Sequence, residues 1–181
     1  ETPCSGWHHD GMKTLMSLFV LALLSPGNAN AASLSGKVIN VADGDTIVVL
    51  AKHRRHRIRL AGIDAPEHNQ PYGKLSGRAL RSLIGGKHVR VDYDKRDRYG
   101  RIVGVVWVQA LDSSCAGVHC LKKFDAGLHQ VSSGMAWWYR RYAHEQTPQQ
   151  RAQYEHAQTQ AKERRIGLWQ ASRPAAPWQW R

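Results

Sequence analysis

Five carboxylates and three guanidinium groups fall into three short motifs of this 181-residue chain. The first is Val41-Ala42-Asp43-Gly44-Asp45-Thr46. The second runs from Ile58 through Arg59, Asp64, Ala65 and Pro66 to Glu67. The third is Asp97-Arg98-Tyr99-Gly100-Arg101. Taken singly, each has an ordinary explanation: Asp-Gly makes turns, Asp-Ala-Pro-Glu is a loop, and Arg-Tyr-Gly-Arg is a solvated basic turn. Taken together, they hold what phosphodiester cleavage requires. Negative charge gathers on the phosphoryl oxygens in the transition state, and a hard cation with fixed guanidinium groups stabilises it. Asp45 and Asp64 are hard oxygen ligands of the kind calcium or magnesium accepts. Arg59 and Arg101 can each grip phosphate oxygens with a planar fork, which lysine cannot. Glu67, three residues past Asp64, is placed to take a proton from water.

Short runs rich in Val and Ile predict the strands that carry these motifs: Lys37 to Val41, Thr46 to Leu50, Arg57 to Leu60, Val89 to Tyr93 and Ile102 to Val108. Asp43-Gly44 between the first two is a hairpin signal. Such closely spaced strands predict a small barrel or sandwich rather than a parallel α/β sheet. Helices are predicted over Tyr72 to Ile84, stopped by Gly85-Gly86, over Asp125 to Ser133, and from Pro148 to Arg165. Thr147 and Gln150 form a capping box for the last of these, with Pro148 in its first turn and Gly167 as its C-terminal cap. Beyond Trp169 the chain reads as a loose tail. Lys52-His53-Arg54-Arg55, with His56, reads as a solvated, phosphate-facing turn rather than a metal site. In the loop Leu111 to Lys123, Cys115 and Cys120 are expected to pair in an oxidising compartment.

The three motifs, in this order, resemble the staphylococcal nuclease family, and the likeness covers about Leu34 to Trp169. It implies a mainly β fold with helices, a five-stranded OB-type barrel plus three α-helices. It also implies one calcium ion held by Asp45, Asp64 and the backbone carbonyl of Ala65. Arg59 and Arg101 take the place of phosphate clamps, with Arg101 also aiding the leaving oxygen, and Glu67 that of the general base. Asp43 and Thr46 support the metal ligands, while Arg98, Tyr99, Tyr139 and Tyr142 are the expected substrate contacts. DNA and RNA are the implied substrates, cut with little sequence preference to leave 3′-phosphate ends by a monomeric enzyme. Two departures stand out. Ala65 lies where the family often has threonine, and the loop His68-Asn69-Gln70-Pro71 is shorter than in the best-known member.

Residues 12–31 have the plan of a secretory signal peptide: Lys13, an apolar run from Leu15 to Leu24, and Ala29-Asn30-Ala31 as a cleavage site. Residues 1–11 read as an upstream extension, 32–170 as the nuclease domain and 171–181 as a C-terminal tail. Cleavage after Ala31 predicts an exported protein, periplasmic or extracellular and without stable membrane insertion. The full chain has 26 Lys and Arg against 14 Asp and Glu, a net charge of +12. That excess calls for a polyanionic partner. Ordinary globular composition excludes a wholly disordered chain. A catalytically inactive OB-fold nucleic-acid-binding module is the alternative on the same barrel, but the acidic ligands and arginines that such a module has no need of are all present.

Overall fold

The structure is a computed structural model that describes residues 32–109 and 124–181. The expected signal segment and the Cys115–Cys120 pair lie outside the described residues. β1 (Ala32–Val41), β2 (Thr46–Ala51) and β3 (Arg54–Leu60) form an antiparallel meander. The two-residue β4 (Ile63–Asp64) follows, then α1 (Gly73–Ile84), β5 (His88–Arg96) and β6 (Ile102–Val108). The sheet order is β3-β2-β1-β5-β6, extended by β7 (Phe124–Asp125), and parallel pairing of β3 with β6 closes the barrel. The expected barrel is therefore present.

Alternation drives the closure. Along β6, residues 102, 104, 106 and 108 are buried and those between them are half-buried, the pattern of a strand with one face on a core. Ile47, Val49, Ile58, Leu60, Val89, Val91, Ile102 and Val106 fill the interior with almost no exposure. β1 starts five residues earlier than the apolar run suggests, because Ala32 to Gly36 pair with Tyr93 to Val89 of β5.

α2 (Ala126–Ser132) is capped by Asp125, whose Oδ1 accepts from the amides of Gly127 and Leu128. Its Oδ2 accepts from the Tyr154 hydroxyl of α3 (Pro148–Glu163) at 2.8 Å, fastening the two helices together. The capping box of Thr147 and Gln150 forms as the sequence predicts. α3 ends at Glu163, capped by Arg164, and Gly167 instead takes a positive φ on entering a 3-10 turn. β8 (Trp137–Trp138) pairs with β4.

The C-terminal segment is not loose. It buries Ala176 and Pro177, forms the one-turn α4 (Pro177–Trp180), and is tied to the barrel by a 2.7 Å bond from Gln70 Nε2 to the Ala175 carbonyl. No helix among the described residues is long and apolar enough to cross a membrane.

Candidate active site

The β1–β2 turn brings Asp43 and Asp45 to one end of the barrel. Asp43 Oδ1 accepts from the Asp45 amide at 3.0 Å, so the turn folds around its own carboxylate. Gly44 is required there: a Cβ at that position would lie 1.8 Å from Ser76 Oγ of α1. The Gly44 carbonyl accepts from Gln130 Nε2 of α2 at 2.8 Å, a wholly buried bond that fixes the turn from beneath.

The second motif is laced to the first. The Leu60 amide donates to the Asp45 carbonyl at 2.8 Å, and the Ala65 amide donates to Asp45 Oδ2 at 2.9 Å. Arg59 joins both carboxylates, Nη1 to Asp45 Oδ1 at 2.5 Å and Nη2 to Asp64 Oδ1 at 2.7 Å. Thr46 Oγ1 donates to Asp45 Oδ1 at 3.1 Å. Burial alone would lower the Arg59 pKa, but the two carboxylates overcome it and raise the pKa above its ordinary value. Burial and the neighbouring Asp45 charge push Asp43 up to about 6. Burial also raises Asp64, against the pull of Arg59.

The third motif faces this network across a cleft of about 810 Å³. Asp97 Oδ1 accepts from the amides of Tyr99 and Arg101, and Oδ2 accepts from Arg101 Nε at 2.7 Å. Gly100 closes the turn at φ +74°. Arg98 and Arg101 both stack on the Tyr99 ring, at 4.9 and 5.5 Å from its centre.

Every predicted site residue among those described meets at this cleft. Asp43, Asp45, Thr46, Arg59, Ala65, Glu67, Arg98, Tyr99, Arg101, Tyr139 and Tyr142 line it, and Asp64 lies wholly buried behind Arg59. Tyr139 and Tyr142 pack edge to face, 5.2 Å between ring centres. Of the adjacent tryptophans, Trp138 is buried, while Trp137 is half-buried against Trp169.

The tail adds two residues that the sequence does not announce. Trp178 stacks on Tyr139, ring centres 5.2 Å apart. Arg181 bonds Asp64 Oδ1 at 2.6 Å and Glu67 Oε1 at 2.5 Å. Only their types, an aromatic and a cation, hinted at a place in such a cleft. On the opposite rim Lys95 pairs with Glu145 and lies 5.4 Å from the Tyr142 ring centre.

The carboxylates suit a hard cation. Asp64 Oδ2 is buried with no hydrogen-bond partner among the described residues. An unmatched buried carboxylate oxygen is costly unless a cation meets it. Arg181, itself a cation, rests on the neighbouring oxygen. Among the described residues no three His, Cys, Asp or Glu side chains gather as a metal cluster. The expected set, two carboxylates and a carbonyl, does not need one.

The comparisons with known proteins agree with this geometry. A family model described as staphylococcal nuclease homologue matches residues 57–171. The chain is 35% identical over 170 residues to an Escherichia coli protein named Protein ParB, covering 94% of this chain and 90% of that one. It is 38% identical over 150 residues to an uncharacterized endonuclease of Escherichia coli, covering 83% and 86%. A micrococcal nuclease of Shigella flexneri is 38% identical over 150 residues, covering 83% and 82%. Motifs, barrel, cleft and relatives converge, and the chain belongs to the staphylococcal nuclease family of nucleases.

Proposed function

We propose that this chain is an exported, calcium-dependent nuclease that hydrolyses both DNA and RNA and leaves 3′-phosphate ends. The observation that carries the reading is the joining of Asp45 and Asp64 through Arg59, beside a buried Asp64 oxygen that has no hydrogen-bond partner among the described residues. Asp45, Asp64 and the Ala65 carbonyl would hold the ion, with Asp43 and Thr46 supporting Asp45. A bound calcium ion supplies Lewis-acid polarisation of the phosphoryl oxygens. Glu67 accepts a proton from the attacking water as its oxygen bonds to phosphorus. The bond to the 5′-oxygen breaks, that oxygen takes up a proton, and the phosphate stays on the 3′ side. Arg59 and Arg101 hold the phosphoryl oxygens through the charge build-up, and Arg101 also faces the leaving oxygen. Arg98, Tyr99, Tyr139 and Tyr142 contact sugar and base. The signal-like residues 12–31 support export.

The test is digestion of single-stranded DNA and of RNA with calcium or with chelator, followed by end-group analysis. Cleavage of both polymers, abolished by chelator and leaving 3′-phosphates, is expected. Binding without cleavage under every metal would identify an inactive module instead. Glu67→Gln should retain calcium binding yet lose roughly 10²–10⁴-fold in turnover, and excess calcium should not restore it.

A further inference from the structure

Residues 46–63 contain Lys52, Arg54, Arg55, Arg57 and Arg59 and no Asp or Glu. The fold arranges part of this charge in a row. Ile58 and Leu60 of β3 point into the core, so Arg55, Arg57 and Arg59 share the opposite face. Strand geometry separates neighbours in that row by about 6.6–6.8 Å, a repeat of the same order as the step between phosphates of an extended single strand. The parallel register sets Arg59 beside Val103 and Ile58 beside Ile102. One residue earlier come Arg57, still on β3, and Arg101, which immediately precedes β6. Arg59, Arg101 and Val103 all line the cleft, so the row runs out of the cleft along the outer face of the barrel.

The members differ in how their charge is met. Arg59 and Arg101 are each ion-paired to carboxylates. Among the described residues Arg55 and Arg57 are exposed, and neither side chain makes an ion pair. Lys37 lies opposite Leu50, and Leu50 opposite Arg55, so a further exposed cation borders the row. The β2–β3 turn ends it with Lys52 and His53, both at positive φ. Guanidinium groups with no ion-pair partner among the described residues, spaced along a strand and continuous with the proposed phosphate-cleaving site, are a surface made for an external polyphosphate.

We propose that Arg57 and Arg55 form a phosphate-binding track that carries the nucleic-acid strand beyond the scissile phosphate, so that long substrates are held at more than one phosphate. This rests on the nuclease reading above and gives it a substrate class: polymers in preference to short fragments. Contacts to phosphate carry no base identity, so the track adds affinity without sequence preference.

The experiment compares wild type with Arg55→Gln/Arg57→Gln, and with Arg151→Gln/Arg165→Gln as a charge-matched control on α3 and its exit, which packs chiefly on α2. Binding of a fluorescent single strand of about 16 nucleotides is measured in chelator over a salt series. Cleavage of that strand and of a trinucleotide is measured in calcium. The track variant should bind the long strand at least tenfold more weakly. Its salt slope should fall by about 0.7 for each lost phosphate contact. The kcat/KM advantage of long over short substrate should shrink by a similar factor. An unchanged slope and ratio would overturn the track, and so would equal losses in the control, which would mean diffuse attraction. Loss of binding to anionic vesicles with oligonucleotide binding intact would overturn it in favour of a membrane surface. A wild type that cleaves nothing, with a slope that still falls in the track variant, would sink the nuclease reading and leave the track standing. Circular dichroism confirms that each variant is folded.

Discussion

Arg59, on β3, and Arg101, in the turn that leads into β6, meet at one cleft, with side chains 18% and 19% exposed. They are held in opposite ways. Arg59 is gripped by two almost fully buried carboxylates from separate places in the chain, Asp45 after β1 and Asp64 in β4. Arg101 is gripped by Asp97, four residues away in the same turn. Equal exposure therefore conceals unequal dependence on the fold. The Arg59 network exists only once β1, β3 and β4 have met, whereas the Arg101 clamp is a local turn that needs only its own residues. One half of the site is part of the core; the other is a module on its rim.

The sharpest test of this contrast is Arg59→Lys. A single ammonium replaces the fork that spans Asp45 and Asp64, leaving one buried carboxylate short of its donor. Turnover should fall at least tenfold, about 1.4 kcal/mol or more of transition-state stabilisation. The fold should also lose about 1–3 kcal/mol, the cost of an unmet buried polar group. Calorimetry and saturated turnover on the same preparation check both. An unchanged melting temperature would show that Arg59 is not part of the core.

Arg101→Lys is the counterpart. It too should lose at least tenfold in turnover, because a point charge cannot reproduce the fork. Its stability, however, should stay within about 0.5 kcal/mol of wild type, as for surface changes away from the core. A melting temperature that drops as far as in Arg59→Lys would erase the distinction drawn here.

A smaller effect is expected at Arg181. It is half-exposed and shares Asp64 Oδ1 with Arg59, while also holding Glu67. Its positive charge competes with any cation drawn to the same oxygens. Arg181→Gln should therefore bind calcium several-fold more tightly by titration calorimetry, with little change in melting temperature. Weaker calcium binding would show instead that the tail props the carboxylates in place.

How much of this was legible in the sequence follows the same local-versus-distant division. The Asp97 turn and the Thr147 capping box could be read directly, because each is closed by partners three or four residues apart. The long strands could be read from alternation. Two-residue β4 and β8 could not, since neither is long enough to show a period, and their pairing depends on where Trp137 and Trp138 are carried. The docking of residues 171–181 was equally invisible. It relies on Gln70 reaching Ala175 and on Trp178 stacking against Tyr139, contacts 105 residues apart in the first case. The motif spacing did indicate which side chains meet, but not that Arg59 would be the bond between the two aspartates.

The smallest effect, and the finest probe of the rim module, is expected from Asp97→Asn. The two oxygens of Asp97 have separate duties: Oδ1 accepts from the Tyr99 and Arg101 amides, and Oδ2 from Arg101 Nε. An asparagine can keep its oxygen on the amides and so preserve the turn. Its amide nitrogen cannot accept from Arg101, so only the link to the guanidinium is cut. Turnover should fall a few-fold, corresponding to less than about 1 kcal/mol, in line with a partly exposed ion pair. The pH dependence has a definite sign. Burial alone would raise the Asp97 pKa, but the Arg101 guanidinium and the two amides outweigh it and hold the carboxyl below its ordinary value of 3.8. Its stabilising contribution is therefore fully present above pH 3.8 and is lost as pH falls through the lower folded-state value. Denaturation of wild type and Asp97→Asn should show a small, constant stability gap near neutral pH that closes in strong acid. A gap that widens as pH falls would mean that Asp97 is not the partner holding Arg101, and the rim would then owe its order to the Tyr99 stack alone.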